Sequence, residues 1–523
     1  MQRCRCVGVL LAVVVLAAAC SGDDDDPVDA APAAESTAIA TSTPEPAPTP
    51  QPTARPPATA EPTATPEPAR FVAARVPDVA ALAADGLTLP IPNVPVPDSW
   101  AVEEYAFGGS AVGFDPVGEI TADGSWEVTE GASEDYRSRL IVRRPPAGDF
   151  SGVVLVEWMN VTSGADIATD WGFVSEEIIR SGHAWVGVSA QSVSVNGTEG
   201  DFVGGGLIDT RGLKVIEPER YGDLGHPGDR FAYDIFTQAG AAVAGLAATP
   251  VLGGLEPTHL VAIGESQSAA FLTGYLNTAH PSAGLYDGFL VHSRGGGAPG
   301  PTGERLDFVE DAVRIRSDLT DPVFVFEAET DVVLLGFVDA RQDDTDLLRT
   351  WEVAGAAHVD THTLAATAGF PRDPSLGSVI GCENLINDGP HHETLQAAMS
   401  HLVAWVVDGT PPPSAPPLDV VDGQLVRDDL GIATGGVRTP PVDVPLRVLS
   451  GDPGSDGGAC FLFGETRLLD EATVAARYGS LDAFVGALNA SADAAVAAGW
   501  LLPIDAEVMI EEETTRAVSL GLS

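Results

Sequence analysis

The sequence predicts an α/β protein whose central sheet is mostly parallel and carries helices on both faces. Between residues 152 and 407, short and almost wholly apolar segments alternate with longer segments of helical periodicity. Strands that are buried on both faces of a parallel sheet read as continuous apolar runs, and helices form their crossover connections. No repeat of long period is evident that would indicate a solenoid instead.

The elements follow one another in an order that suits such a sheet. Residues 87–146 contain short alternating segments, which predict an N-terminal β meander at the edge of the sheet. Its clearest strands are 125–128 and 136–142. The predicted buried strands are 152–158, 183–189, 259–263, 288–292, 322–328 and 350–354, with helices at 170–181, 231–246 and 394–407. A C-terminal extension from about residue 410 adds a strand at 444–449 and helices at 470–479, 481–498 and beyond 503.

Residues 1–20 have the pattern of an export signal. Two arginines precede an apolar run that is too short to span a bilayer. A cysteine directly after the small residues 17–19 resembles the processing site of bacterial lipoproteins, although Leu16 lies one position earlier than usual. We expect a lipoprotein-type signal with lipidation at Cys20, and simple secretion remains the alternative. The protein would then be exported, and a lipid would hold it at the cell surface.

Residues 21–69 are rich in proline, threonine and aspartate and contain almost no large apolar side chains. Such a segment cannot bury a core, so we expect a disordered tether. Proline makes it semi-extended, and about 45 residues at ~3.1 Å each could reach on the order of 140 Å. The remainder, 70–523, is large enough to form a substantial core.

The composition is strongly acidic. The formal net charge is −48, and Lys214 is the only lysine in the chain. A surface of this sign repels nucleic acid and anionic lipid, so we expect no nucleic-acid partner and membrane contact only through the lipid at Cys20.

Two cysteines remain in the folded part. Cys382 and Cys460 form an even pair in a chain that carries an export signal, and we predict a disulfide between them. Two separate buried thiols are the alternative. No C-x-x-C pair indicates structural zinc.

The segment 258–276 has the pattern of a nucleophile elbow. The apolar run 259–263 leads into Gly264, Ser266 and Ser268, and a helical pattern follows. In such an elbow a tight strand-to-helix turn exposes the serine hydroxyl, and its neighbours must be small because strand and helix nearly touch. Ser268 stands where glycine is usual. A chance match to this short pattern is the alternative.

An elbow serine needs a base, and the base needs an orienting acid, in the chain order serine, acid, histidine. Asp331 follows the predicted strand 322–328, and His358 follows 350–354. We therefore predict a catalytic triad of Ser266, Asp331 and His358. Glu329 is the alternative acid, and His362 is the alternative base.

Stabilising an oxyanion requires two backbone N–H groups. Gln267, which follows the serine, is one predicted donor. Asn160 or Val161, after the strand 152–158, is the other, and no H-G-G-G motif is present there to decide between them.

A metal site is the competing interpretation of the histidines. His358 and His362 have metal-like spacing with Asp360 between them, and 391–393 add further potential ligands. The first histidine is not followed by the glutamate that H-E-x-x-H peptidases use as a base. We expect no metal and no cofactor.

Several motifs together resemble the α/β-hydrolase superfamily, and within it a group of exported bacterial "alpha/beta hydrolase domain" proteins. They are E-W-M-N-V at 157–161, R-Y-G at 220–222, H-P-G-D at 226–229, Y-D-I-F at 233–236, G-E-S-Q-S at 264–268, A-G-A-A-H at 354–358, W-V-V-D-G at 405–409 and C-F-L-F-G at 460–464. The resemblance covers nearly all of 70–523 and explains the serine at 268. It implies an α/β-hydrolase fold and a serine hydrolase, most readily a carboxylic-ester hydrolase, with the triad on Ser266, Asp331 and His358.

The sequence thus predicts an exported serine hydrolase that cleaves a small-molecule ester through an acyl-enzyme on Ser266. An acyltransferase or a peptidase could use the same triad. The alternative that is not an enzyme is a surface binding protein that keeps this fold without catalysis. Neither the acyl group nor the oligomeric state follows from the sequence.

Overall fold

The computed structural model describes residues 71–82, 94–197, 211–304, 309, 312–454 and 458–523. The predicted signal 1–20, the lipid site Cys20 and the tether 21–69 lie outside these ranges and stay predictions.

A nine-stranded sheet forms the centre of the protein, with the strand order β1-β2-β3-β5-β4-β6-β7-β8-β9. The strands are β1 Asp78–Ala81, β2 Ala101–Pro116, β3 Val128–Arg144, β4 Val153–Trp158, β5 Ala184–Val188, β6 His259–Glu265, β7 Gly288–His292, β8 Val323–Ala328 and β9 Leu348–Val353. Strands β4 to β9 pair in parallel, and β1, β2 and β3 form an antiparallel meander at one edge. The predicted sheet class and the edge meander are both confirmed.

Helices cover both faces of this sheet. They are α1 Thr169–Arg180, α2 Ser192–Asn196, α3 Leu213–Ile216, α4 Pro218–Tyr221, α5 Ala232–Val243, α6 Gln267–Thr278, α7 His280–Ala283, α8 Glu329–Val333, α9 Phe337–Ala340, α10 Thr361–Ala368, α11 Leu376–Ile380 and α12 His391–Asp408. One core cluster joins α5 and α6 to the sheet through Phe236 and Leu272, and the other joins α1 and α12 through Trp171 and Met399. Two apolar layers on one sheet explain why its strands read as continuous apolar runs.

The meander differs from its prediction in length. β2 has 16 residues and β3 has 17, where the sequence indicates several short strands. Glycines interrupt the alternation of β2 because the chains pack closely there: a Cβ at Gly108 would lie 2.5 Å from the carbonyl oxygen of Tyr136 on β3. The alternating pattern of 125–128 predicts a strand that includes Trp126. In the structure Trp126 precedes β3, and its Nε1–H donates to the carbonyl of Thr121.

In the described part of the extension after α12, β10 Val420–Val421 pairs with β11 Gln424–Leu425, and β12 Arg447–Ser450 pairs with β13 Glu465–Leu468. The helices there are α13 Pro440–Asp443, a 3-10 helix at Gly458–Leu462, α14 Glu471–Tyr478, α15 Leu481–Ala498 and α16 Pro503–Ser519. It packs on the loops at the ends of β8 and β9: the amide of Gly451 donates to Glu329, and the amide of Val359 donates to Leu462. Among the described residues, no helix is both long enough and apolar enough to cross a membrane.

Candidate active site

Ser266 occupies the turn between β6 and α6. Its φ of 59° and ψ of −118° place a non-glycine residue at positive φ, a strained conformation that persists only where the surrounding structure enforces it. The turn is tight: a Cβ at Gly264 would lie 3.0 Å from Leu272 and 3.1 Å from the side chain of Ser268. The Ser266 amide donates to the carbonyl of His292 at the end of β7, at 2.9 Å. The structure therefore has the geometry of an elbow, and it holds the Ser266 hydroxyl at the carboxyl end of the sheet.

The structure brings the three predicted catalytic side chains into one hydrogen-bonded chain. His358 Nε2 lies 2.9 Å from Ser266 Oγ, and His358 Nδ1 lies 2.6 Å from Asp331 Oδ1. The second oxygen of Asp331 accepts the amide of Ala328 at 2.6 Å, which fixes the carboxylate at the end of β8. These distances meet the requirement that nucleophile, base and orienting acid lie in mutual hydrogen-bond reach.

The electrostatics of His358 and Asp331 are those of a paired acid and base. Burial opposes the charge on His358, but the attraction of Asp331 and the bond between the two raise the pKa of His358 above its ordinary value. Burial likewise opposes the charge on Asp331, but the pull of His358 and the Ala328 amide lower the pKa of Asp331. Asp331 is therefore the ionised member of the pair near neutral pH.

A second carboxyl group, that of Glu265, contacts the same imidazole. Glu265 Oε1 lies 3.4 Å from His358 Nε2, the nitrogen that also faces Ser266. The side-chain amide of Asn160 donates to Glu265 Oε2 at 3.1 Å and to the Glu265 carbonyl at 3.1 Å. Burial raises the pKa of Glu265 to about 8, against the opposing pull of His358.

The structure distinguishes the two candidates for the second predicted oxyanion donor. The backbone N–H of Asn160 donates to the carbonyl of Ile167 at 2.9 Å in an isolated β-bridge, so it is not available to a substrate. The N–H of Val161 instead points toward the elbow and donates to the side-chain oxygen of Gln267 at 3.3 Å. Gln267 is the first residue of α6, so its own N–H has no partner within the helix. Of the two candidates after β4, Val161 is thus the one whose N–H faces the elbow beside Gln267.

The two alternative triad residues are engaged elsewhere. Glu329 accepts the amides of Gly355 and Gly451 at 2.6 and 2.9 Å and pairs with Arg427 at 3.1 Å. His362 Nε2 lies 3.1 Å from the carbonyl of Gly172, and its ring stacks on another histidine ring. Within the described ranges, no group of three or more histidine, cysteine or acidic side chains is arranged to hold a metal ion.

Cys382 and Cys460 form the predicted disulfide, with the sulfurs 2.10 Å apart. It joins the segment just after α11 to the 3-10 helix at 458–462. The carbonyl of Leu462, the last residue of that helix, accepts the amide of Val359 at 3.0 Å. Thr330 adds a second support, because its hydroxyl accepts the amide of His358 at 3.2 Å. The loop that carries His358 is thereby held from two sides.

Sequence reasoning missed two of these contributors, Glu265 and Thr330. Glu265 had a detectable signal, since it is an acidic residue at the end of an otherwise apolar strand and directly precedes the elbow serine. Thr330 had none, because its contact with His358 depends on how the loops after β8 and β9 approach each other.

Comparison with solved structures returns esterases and a related hydrolase at low similarity. Esterase Est22 is 13% identical over 51% of this chain and 76% of its own, with a TM-score of 0.27. A putative dienelactone hydrolase from Klebsiella pneumoniae is 13% identical over 50% of this chain and 92% of its own, with a TM-score of 0.24. An esterase from Rhizomucor miehei is 13% identical over 58% of this chain and 85% of its own, with a TM-score of 0.28. Scores this low identify no shared activity.

Comparison with protein-family models gives a match over most of the chain. The model of the family described as "Alpha/beta hydrolase domain" matches residues 57–511, which is most of the chain. A search of curated proteins found no significant match. The family match spans the meander, the parallel strands, the elbow and most of the C-terminal extension, and the chain therefore belongs to the alpha/beta hydrolase domain family.

Proposed function

We propose that this protein is a serine hydrolase that cleaves carboxylic esters through an acyl-enzyme on Ser266. The observation that carries the proposal is the continuous chain from Ser266 Oγ through His358 to Asp331, at 2.9 and 2.6 Å, with the serine at a strained turn. A serine hydroxyl needs such a base to become a nucleophile near neutral pH.

The proposed first half-reaction follows from this geometry. Ser266 Oγ attacks the ester carbonyl carbon while its proton passes to His358 Nε2. Asp331 stabilises the imidazolium that forms, and the N–H groups of Val161 and Gln267 receive the developing oxyanion. In the free protein the Val161 amide donates to the side-chain oxygen of Gln267. When the oxyanion forms, the substrate oxygen takes the place of that side-chain oxygen as the acceptor.

The first half-reaction ends when the alcohol leaves, and the second uses the same groups to release the acid. His358 gives its proton to the leaving alcohol as the carbon–oxygen bond breaks, and an acyl group remains on Ser266. In the second half-reaction a water molecule loses a proton to His358 Nε2 and attacks the acyl carbon. His358 returns that proton to Ser266 Oγ as the bond between Oγ and the acyl carbon breaks and the acid leaves. If another acceptor replaced water in this step, the protein would be an acyltransferase.

The proposal predicts a sharp contrast between two neighbouring serines. Ser266→Ala should lower kcat for p-nitrophenyl ester hydrolysis by about a thousandfold or more, because it removes the nucleophile. Ser268→Ala, at the buried position two residues later on the same turn, should retain activity within a small factor. Equal activity of wild type and Ser266→Ala would overturn the proposal. A series of acyl chain lengths would then define the substrate, and a matched amide series would reveal a peptidase.

Export and lipidation belong to the same proposal, on the support of the N-terminal sequence alone. Residues 1–20 would direct export, and Cys20 would carry the lipid that keeps the enzyme at the cell surface. Expression in a bacterial host with a labelled fatty acid should label the wild type in the membrane fraction. Cys20→Ala should be unlabelled, and equal labelling of the two proteins would contradict lipidation.

A further inference from the structure

A second hydrogen-bonded chain of buried titratable groups lies behind the proposed catalytic residues. Asp170 Oδ1 is 2.7 Å from His292 Nδ1, and His292 Nε2 is 2.7 Å from His391 Nε2. His391 Nδ1 is 2.8 Å from the carbonyl oxygen of Ala357. The Asp170, His292 and His391 side chains are all fully buried. We name these three residues the relay.

His292 and His391 each contact the backbone at or beside one partner of the proposed proton transfer. His292 is the last residue of β7, and its backbone carbonyl accepts the amide of Ser266. The Ala357 carbonyl, which His391 contacts, belongs to the residue directly before His358. The relay therefore connects the backbone of the nucleophile with the backbone of the base.

Aromatic side chains enclose the relay and restrict the orientations that its imidazole rings can take. The ring of Phe173 lies 5.0 Å from that of His292 and 4.5 Å from that of His391. Phe326 stacks on His391 from another side at 5.4 Å. In such an apolar setting each polar atom depends on its partner within the relay, since an unpaired one would carry its full desolvation cost.

Matching donors to acceptors fixes where the protons lie. A carbonyl oxygen accepts only, so His391 Nδ1 carries hydrogen toward Ala357. If both imidazoles are neutral, His391 Nε2 accepts from His292 Nε2–H. His292 Nδ1 then accepts as well, and its partner Asp170 must be a protonated carboxyl that donates. The second oxygen, Asp170 Oδ2, has no hydrogen-bond partner, as suits a neutral carboxyl.

Burial favours this neutral arrangement over an imidazolium. Burial lowers the pKa of both His292 and His391 to about 3, and it raises the pKa of Asp170 to about 8. Asp331 and His358 act on His292 from the catalytic side in opposite directions.

The neighbouring carboxyl group, that of Glu157, differs from Asp170 in its partners. It accepts three N–H groups, from the amides of Asp170 and Trp171 and the indole of Trp185, at 2.8–3.0 Å. Burial and the nearby Asp170 raise the pKa of Glu157 well above its ordinary value, and the three donors oppose this rise. Asp170 Oδ2 has no such donor, so a proton on Asp170 leaves fewer acceptors unsatisfied than a carboxylate there.

We infer that Asp170, His292 and His391 form a neutral relay that positions Ser266 and His358 relative to each other, with the directing proton on Asp170. These are positioning residues, because none of them touches the proposed reacting atoms. The inference rests on the proposed function for its kinetic consequences, but not for the proton arrangement.

Kinetics test the positioning role. His391→Phe keeps a ring between Phe173 and Phe326 but loses the contact with Ala357, and it should lower kcat by about 10- to 100-fold through misplacement, with little change in KM. Asp170→Leu should cost about as much, and the double variant no more than either single one. Asp170→Asn should restore most of the activity, because its amide can donate to His292 as the protonated carboxyl does.

His401→Phe is the matched control for His391→Phe. His401 lies on the same helix α12 and also contacts a backbone carbonyl, that of Gly499 at 2.9 Å. It should keep the wild-type kcat. Thermal unfolding of each variant separates a loss of folding from a loss of positioning. A wild-type kcat in His391→Phe, or an Asp170→Asn variant as impaired as Asp170→Leu, would overturn the role.

Nitrogen NMR of histidine-labelled wild-type protein tests the proton arrangement directly. His292 should be the Nε2–H tautomer and His391 the Nδ1–H tautomer, and neither should titrate between about pH 5 and about pH 7, below the pKa of Asp170. Two protonated nitrogens on His292 would overturn the neutral relay.

The NMR measurement does not depend on enzymatic activity. If Ser266→Ala remained active, the proposed function would fail while the NMR result still stood; if only the relay variants behaved as wild type, only the positioning role would fail.

Discussion

At the scale of single residues, two carboxyl groups contact the imidazole of His358, and they differ in charge. Asp331 bonds His358 Nδ1, accepts a backbone amide and has a lowered pKa. Glu265 lies against His358 Nε2, and burial raises its pKa to about 8. Asp331 is therefore suited to orient the base, whereas a neutral Glu265 leaves Nε2 free to take the serine proton.

Asp331→Asn should affect both rate and pH dependence. The proposed base acts only when neutral, so kcat/KM rises with pH through the pKa of His358, which Asp331 raises. Without that charge the pKa of His358 falls, and the acidic limb of the profile should move to lower pH. The plateau should drop by about 10⁴-fold, because the imidazolium loses its partner. An unchanged acidic limb in kcat/KM would contradict the assignment of Asp331.

Glu265→Gln tests the neutral state of the second carboxyl group. Glutamine has the shape of the protonated acid and can still accept from Asn160, so kcat/KM below about pH 7 should stay near the wild-type value. The wild type should show an additional ionisation near pH 8 that this variant lacks. Glu265→Ala, which also removes the Asn160 contact, serves as the comparison and should lose more activity. A large loss in Glu265→Gln at pH 6 would show that the carboxylate is required.

At the scale of elements, much of the site was predictable because it depends on local pattern. Buried parallel strands are continuous apolar runs, and Asp331 and His358 each follow one of them, so their meeting at one sheet edge could be inferred. The elbow was readable because its small residues are local. The relay was not: His292 and His391 are 99 residues apart, and nothing in either neighbourhood indicates the contact. The bridge between Asn160 and Ile167 was hidden for a different reason: the two residues are close in sequence, but an isolated bridge leaves no strand pattern to read.

The disulfide is the clearest element whose contribution can be measured. Its cysteines are 78 residues apart, and the constraint on the unfolded chain should contribute about 2–4 kcal/mol to the free energy of unfolding. The Cys382→Ser/Cys460→Ser variant should therefore unfold at lower denaturant concentration. Because the Val359 contact with Leu462 is a backbone bond, kcat at 25 °C should remain close to that of the wild type.

Reductant provides the control for this prediction. It should lower the stability of the wild type toward that of the double variant and have no effect on the double variant itself. A double variant as stable as the oxidised wild type would contradict the structural role of the disulfide.

At the scale of the whole molecule, buried polar contacts join the extension after α12 to the catalytic layer. Arg447 on β12 bonds Glu513 on α16 at 2.6 Å and donates to the carbonyl of Asp388 at 2.9 Å. Asn387, the preceding residue, donates to the carbonyls of Gly355 and Ser450. The extension is thus continuous with the loop that bears His358, which agrees with a family match reaching residue 511.

The net charge of −48 should make the stability of the protein depend on salt. Repulsion among surface carboxylates opposes the compact state, and salt screens it. The Tm should rise by several degrees between about 10 mM and about 500 mM NaCl. Potassium chloride at equal ionic strength should give the same rise, since screening depends on ionic strength. A constant or falling Tm would show that surface repulsion does not limit stability.

The central claim is that Ser266 is a nucleophile activated by His358, and covalent labelling tests it most directly. The wild type, Ser266→Ala and Ser268→Ala should each be treated with a fluorophosphonate probe, digested and analysed by peptide mass spectrometry. The wild type and Ser268→Ala should carry one adduct on the peptide containing residue 266, and Ser266→Ala should carry none. An unlabelled wild type, or a Ser266→Ala variant labelled as fully as the wild type, would contradict the account.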